Sequence, residues 1–141
     1  DNEIGFDFFE KLADSLKFLV ELRLSNTKLN NRSMIDLSMV MKEQKFQLQT
    51  LDLSRNQITS EGLYKLLSTM KSNQYLKKLY LAYNDFHNYS SLSVVENYLS
   101  HNKQLELLVI RGCRWEGKHG LSLGKGMKKN LNLKKLVLCI N

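Results

Sequence analysis

Apolar residues recur along this chain in two alternating spacings. In one kind of segment they follow the pattern L-x-x-L-x-L with mostly polar residues between them, which is typical of a strand with one buried face. In the next segment they lie three and four positions apart, which predicts a helix with one buried face. The strand-type segments start at Leu19, Leu48, Leu76, Leu105 and Leu133.

These starts are 29, 28, 29 and 28 residues apart, and such a period is the signature of a repeat protein. One strand and one helix cannot enclose a core, so neighbouring units must stack and share an apolar interior. The predicted units are a half repeat at 1–18, repeats at 19–47, 48–75, 76–104 and 105–132, and a half repeat at 133–141. Because neither half repeat offers a polar cap for the core, we expect an internal part of a longer array.

The second unit carries the pattern LxxLxLxxNxLxxxGxxxLxxxLxxNxx at Leu48, Leu51, Leu53, Asn56, Ile58, Gly62, Leu66, Met70 and Asn73. This pattern resembles the ribonuclease-inhibitor-like leucine-rich repeats, and the resemblance covers essentially the whole chain. It implies an α/β fold, a horseshoe-shaped solenoid with parallel strands on the concave face and helices on the convex face. Thr27 and Cys113 replace the usual Asn, and we expect the Cys113 thiol to take its place as a weak donor to the turn backbone.

Two local features of the helical segments need interpretation. Asn31, Ser60, Asn88 and Gly117 share one column of the repeat, and these residue types favour a helix N-cap. Two of them, Asn31 and Asn88, also begin formal N-glycosylation sequons, but capping explains the asparagines better. Glycines at 120, 124 and 126 should weaken the helix of the fourth unit.

The sequence offers no arrangement of residues suited to catalysis or metal binding. His87, His101 and His119 fall in different repeats, and neither cysteine has a partner at metal-ligand spacing. The glycines at 120–126 have the wrong spacing for a phosphate-binding loop. We therefore expect a protein that is not an enzyme and that uses no cofactor and no metal.

The outward positions of the predicted strands form a grid on the concave face, with neighbouring strands about 5 Å apart. This grid is polar in the first two repeats and becomes apolar and aromatic in the later ones. Contiguous apolar residues at solvent-facing positions usually mark a contact, and Tyr and Arg are typical interface anchors. The predicted partner-binding site consists of Tyr80, Tyr83, Leu107, Val109, Arg111 and Val137.

Charge and composition add a second candidate surface. The chain is 43% hydrophobic and 25% charged, with a net charge of +7, and no apolar run reaches the length of about 18 residues that a membrane helix needs. A basic cluster is predicted at Lys125, Lys128, Lys129, Lys134 and Lys135. Such a cluster could attract an acidic protein or phosphates. Nucleic acid is the less favoured partner, because no stacking aromatics interleave with these lysines.

These observations favour a non-catalytic scaffold for protein–protein interaction. We expect the leucine-rich-repeat segment of a larger protein, a subunit of a cytoplasmic hetero-complex such as a cytoskeletal or ciliary (axonemal) assembly, with no membrane contact. The expected partner is a protein, and an acidic surface on it would complement the basic excess. Two alternatives stay open: a regulator of enzymes, of the GTPase-activating or inhibitor type, and a basic protein associated with RNA or ribosomes.

Overall fold

The computed structural model describes residues 4, 6–43, 46–87, 89–113 and 120–139. Within these ranges, helices and strands alternate along the chain. In order they are α1 Phe6–Leu16, β1 Glu21–Arg23, α2 Asn31–Glu43, β2 Thr50–Asp52, α3 Ser60–Met70, β3 Lys78–Tyr80, α4 Tyr89–His101, β4 Leu107–Arg111, α5 Gly120–Lys129 and β5 Lys135–Cys139.

The strands form a single parallel sheet in the described part of the chain. Each strand pairs with the next one along the sequence, in the order β1-β2-β3-β4-β5. The pairing brings one leucine of each strand into a common row, made of Leu22, Leu51, Leu79, Leu108 and Leu136. The predicted α/β fold with parallel strands is therefore confirmed.

The core lies between the sheet and the layer of helices. The apolar pattern positions of the second unit are fully buried: Leu51, Leu53, Ile58 and Leu66 have no exposed surface. Burying each such side chain contributes about 1.5–3 kcal/mol relative to leaving it exposed. Buried residues of the first half repeat and the four full repeats join in one continuous apolar cluster, and the partly buried Leu133, Leu136 and Leu138 pack against it. Each unit therefore depends on its neighbours for its core.

Asn56 closes the turn after β2 with its buried side chain. Its Oδ1 accepts hydrogen bonds from the backbone N–H groups of Thr27 and Leu29, both at 3.0 Å. Its Nδ2 donates to the carbonyl oxygens of Leu24 at 2.8 Å and Leu53 at 2.9 Å. The amide therefore links its own turn to the turn of the preceding unit.

Cys113 occupies the equivalent position after β4. Its thiol lies 3.4 Å from the Arg111 carbonyl oxygen and 3.7 Å from the Leu81 carbonyl oxygen, so it donates weakly to the same kind of acceptors. This confirms the predicted structural role of Cys113. Burial also raises the pKa of the thiol, which keeps it protonated and able to donate.

The predicted caps of α2 and α3 are wrong by one position. Helix α2 begins at Asn31, so the residue that caps it is Asn30, whose Oδ1 accepts the Ser33 N–H at 3.1 Å. The side chain of Asn31 instead reaches the next unit, where its Oδ1 accepts the N–H of Thr59 at 2.9 Å and of Gly62 at 3.2 Å. Helix α3 starts at Ser60, and Asn88 and Gly117 lie outside the described residues.

Helix α5 forms despite its glycines. A Cβ atom added at Gly126 would lie 2.7 Å from the carbonyl oxygen of Glu96 in α4. Glycine is needed here because the backbones of α4 and α5 approach closely. The glycine that was expected to weaken this helix therefore allows it to pack.

Candidate functional site

Side chains of the strands alternate between the core and the outer face of the sheet, which points away from the helices. Strand pairing aligns Tyr80 with Val109, and Val109 with Val137. All three side chains are half-buried. We call these three residues the apolar row. Leu107, also half-buried, lies in the adjacent row between Lys78 and Lys135.

Tyr83 lies in the turn that follows β3, beyond the C-terminal end of the strand. Its side chain is 42% exposed, and its ring has two cationic neighbours. The guanidinium carbon of Arg55 lies 4.6 Å from the ring centroid, and that of Arg111 lies 5.4 Å from it. Cation–π contacts of this kind hold the ring and the guanidinium groups against one another. We call Arg55, Tyr83 and Arg111 the Arg–Tyr–Arg clamp.

The backbone of the turns explains how the clamp is built. Asn26, Arg55, Tyr83 and Gly112 occupy the same turn position in successive units, and all have φ between 57° and 66°. A Cβ atom at Gly112 would lie only 2.3 Å from Cδ1 of the Tyr83 ring. The ring therefore lies directly over the Gly112 backbone, and only glycine leaves room for it.

The structure brings all six residues of the predicted partner-binding site to the outer face of the sheet. It adds Arg55, which belongs to the second repeat, where the grid is predicted to be polar. The repeat alignment could have revealed Arg55, because Arg55 and Tyr83 occupy the same turn position in successive units. Residues at the same position of stacked neighbouring units lie side by side. The binding role of these residues stays a prediction.

The predicted basic cluster is divided between two elements. Lys125, Lys128 and Lys129 lie on α5 and line a groove between α4 and α5, together with His101. Lys134 and Lys135 instead lie at the start of β5. The sequence run is continuous, but the chain turns from helix to strand within it. The first three lysines therefore line a groove between helices, and the last two lie at the N-terminal end of a strand.

The lysines at the strand starts surround one carboxylate. Lys134 Nζ lies 2.8 Å from Glu106 Oε2. The hydrogen bond from Lys134, with smaller contributions from the charges of Lys134, Lys77 and Lys78, lowers the pKa of the Glu106 carboxyl group. This edge of the outer face therefore keeps a positive excess around a single ionised glutamate.

The described residues contain no group of His, Cys, Asp and Glu side chains suited to hold a metal ion. His87 Nδ1 pairs with Asp85 Oδ1 at 2.8 Å, whereas His101 contacts the Asn97 carbonyl oxygen at 2.8 Å. The two histidines thus have separate local partners, and His119 lies outside the described residues. None of the helices in the described ranges combines the length and apolar character needed to cross a bilayer.

Residues 46–67 match the family model described as Leucine Rich repeat. The match supports a leucine-rich repeat. It covers β2 and the first part of α3, with the Asn56 turn between them. No curated protein sequence matches the chain.

Two solved structures are among those similar to this chain in fold. One is leiomodin-1 actin-binding site 2 (ABS2), with a TM-score of 0.84 and 17% sequence identity over 100% of this chain and 82% of that chain. Another is the tropomodulin C-terminal domain of Caenorhabditis elegans, with a TM-score of 0.77 and 14% identity over 93% of this chain and 82% of that one. At these identities the similarity concerns the fold alone.

Proposed function

We propose that this chain is a non-catalytic protein-interaction domain of the actin cytoskeleton, and that it binds actin through the outer face of its sheet. The observation that carries the proposal is the Arg–Tyr–Arg clamp beside the apolar row. Tyr83 is large, aromatic and exposed, and it is held in place by Arg55, Arg111 and the Gly112 backbone. Pre-organised Tyr and Arg side chains are the residues that most often dominate the binding energy of protein interfaces.

The choice of actin rests on analogy of fold. The leiomodin-1 structure carries an actin-binding site, and its fold extends over all of this chain. Fold alone does not determine function, so the residues of the outer face must account for the binding. The ciliary location expected from the sequence gains no support from these similarities, and the regulatory alternative stays a prediction.

We further propose that the units form a horseshoe-shaped solenoid of the ribonuclease-inhibitor-like type, with the repeat boundaries given above. The register of the sheet supports this. Leu22 pairs with Leu51, and Leu51 with Leu79, so corresponding pattern positions face each other. The outer face described here would then be the concave face of the solenoid.

Co-sedimentation with filamentous actin tests the proposal. The test variant combines Tyr80→Thr with Tyr83→Asn, because Thr suits a strand and Asn tolerates the positive φ at position 83. The matched control combines Tyr64→Gln with Tyr75→Asn, which removes two exposed tyrosines outside this face. Circular dichroism should be the same for all three proteins.

We expect the wild-type chain and the control to pellet with actin filaments and the test variant to bind at least about tenfold more weakly, the loss typical of removing interface tyrosines. Absence of pelleting by the wild-type chain would refute actin as the partner. Equal pelleting of the test variant would refute the outer face as the binding surface.

A further inference from the structure

We infer that the partner presents an acidic segment to the outer face, with two carboxylates on one side that pair with Arg55 and Arg111. This inference rests on the proposed function, because it assumes that a protein binds this face. It goes further by naming the chemistry of the partner and the two groups that recognise it.

The first step concerns the free edges of the two guanidinium groups. A guanidinium group stacked over a ring keeps its in-plane N–H groups available as donors. Within the described ranges, Arg23 pairs with Glu21 and Arg32 pairs with Asp36. Neither guanidinium group of the clamp has an ion pair or hydrogen bond with any described residue. Among the arginines that the structure describes, Arg55 and Arg111 are therefore the two whose N–H donors are not shared with a carboxylate of the chain.

The second step concerns their spacing. The guanidinium carbons of Arg55 and Arg111 lie 4.6 Å and 5.4 Å from the same ring centroid, so they are no farther apart than the sum of these two distances. Alternate side chains on one side of an extended peptide are about 7 Å apart. Two such carboxylates can therefore reach both guanidinium groups at once, each through a charge-assisted, bidentate pair.

The third step concerns the charge of the surrounding face. At the opposite end of the strands, Lys77, Lys78 and Lys134 lie near Glu106, which is already paired with Lys134, and Lys135 begins β5. The apolar row thus lies between a lysine-rich edge and the clamp. An acidic segment with apolar residues nearby would match this face in charge and polarity, and the lysines would increase its association rate.

Nucleic acid fits the clamp less well than carboxylates do. Single strands gain much of their affinity by stacking bases on exposed aromatic rings. Here two guanidinium groups lie over the Tyr83 ring, and they take up the surface on which a base would stack. The geometry therefore favours paired carboxylates over a polynucleotide.

The experiment uses a synthetic peptide of nine residues in which Val and Asp alternate, and a second peptide with Asn at every Asp position. Alternation with Val favours an extended chain that presents its carboxylates on one side. Binding is measured by titration calorimetry, and the arginine Nε–H signals are followed by NMR. The test variant is Arg55→Lys with Arg111→Lys, which keeps both charges but removes the bidentate fork.

We expect the Asp peptide to shift the Arg55 and Arg111 signals and the Asn peptide to leave them unchanged. The test variant should bind the Asp peptide about tenfold more weakly, whereas the control Arg23→Lys should bind it like the wild-type chain. Equal binding of the Asn peptide, or undiminished binding by the test variant, would overturn the inference. Tighter binding of oligouridine through the same two arginines would also overturn it.

The two proposals fail separately. If actin pelleting depends on Tyr80 and Tyr83 but the Asp peptide does not bind, only the acidic segment is refuted. If the Asp peptide binds at Arg55 and Arg111 but actin filaments do not pellet the chain, actin is refuted and the acidic-segment inference stands.

Discussion

Replacing Asn56 with alanine should lower the free energy of unfolding by about 4 kcal/mol. The side chain is 8% exposed and makes four hydrogen bonds of 2.8–3.0 Å to backbone groups of two turns. Each bond contributes about 1 kcal/mol net, and buried groups left without a partner cost about 1–3 kcal/mol each. The loss is a large fraction of the ~5–15 kcal/mol that stabilises a typical domain.

The assay is urea unfolding followed by circular dichroism. The matched control is Gln57→Ala, because the neighbouring Gln57 side chain is exposed, and its effect should stay within about 0.5 kcal/mol. Asn56→Thr keeps a donor but loses the amide acceptor, so we expect it to lose about 2 kcal/mol. A loss below about 1 kcal/mol for Asn56→Ala would refute the idea that this side chain holds two neighbouring units together.

Two further predictions concern the turn after β4 and the lysine-rich edge. Gly112→Ala should destabilise the chain by about 1–3 kcal/mol and move the Tyr83 ring, because Gly112 combines positive φ with close contact. Gly124→Ala should stabilise the chain by about 0.4–1 kcal/mol in urea unfolding, because no atom lies within 4 Å of the added Cβ. Equal losses of stability for Gly112→Ala and Gly124→Ala would contradict this reasoning. Lys134→Met should raise the Glu106 pKa in an NMR titration, because Lys134 lowers it. Since the folded-state pKa of Glu106 is lowered, the Lys134–Glu106 pair stabilises the fold at neutral pH, and this stabilisation is lost as the pH falls through that pKa. An unchanged Glu106 titration in the Lys134→Met variant would show that Lys134 does not lower this pKa.

The repeat pattern predicted the parallel sheet because a fixed period fixes which residues face each other. Leu51 and Leu79 occupy the same pattern position, so neighbouring units must pair them if they stack alike. The apolar row follows by the same reasoning, since Tyr80 and Val109 are also one period apart. The repeat period and the residue types were together sufficient to predict the parallel sheet and the apolar row.

Other features depend on side-chain directions that the pattern does not specify. Asn30 and Asn31 are adjacent and identical in type, and only the structure shows that one caps its own helix and the other reaches α3. Arg55 follows a polar strand, and only the structure shows that its guanidinium group lies over the Tyr83 ring. The predicted basic cluster is a single run in the sequence, but the chain passes from α5 to β5 within it.

The side chain of Asn56 completes the turn of the unit that precedes it, since it serves Thr27 and Leu29. Asn84 does the same for Ile58, because the Oδ1 of Asn84 accepts a hydrogen bond from the Ile58 N–H at 3.2 Å. During synthesis, therefore, a turn obtains its partner only after about 30 more residues have left the ribosome, which takes a few seconds at roughly 5–20 residues per second. Until then, the turn of the newest unit lacks the amide that closes it, and that amide comes from the unit made next.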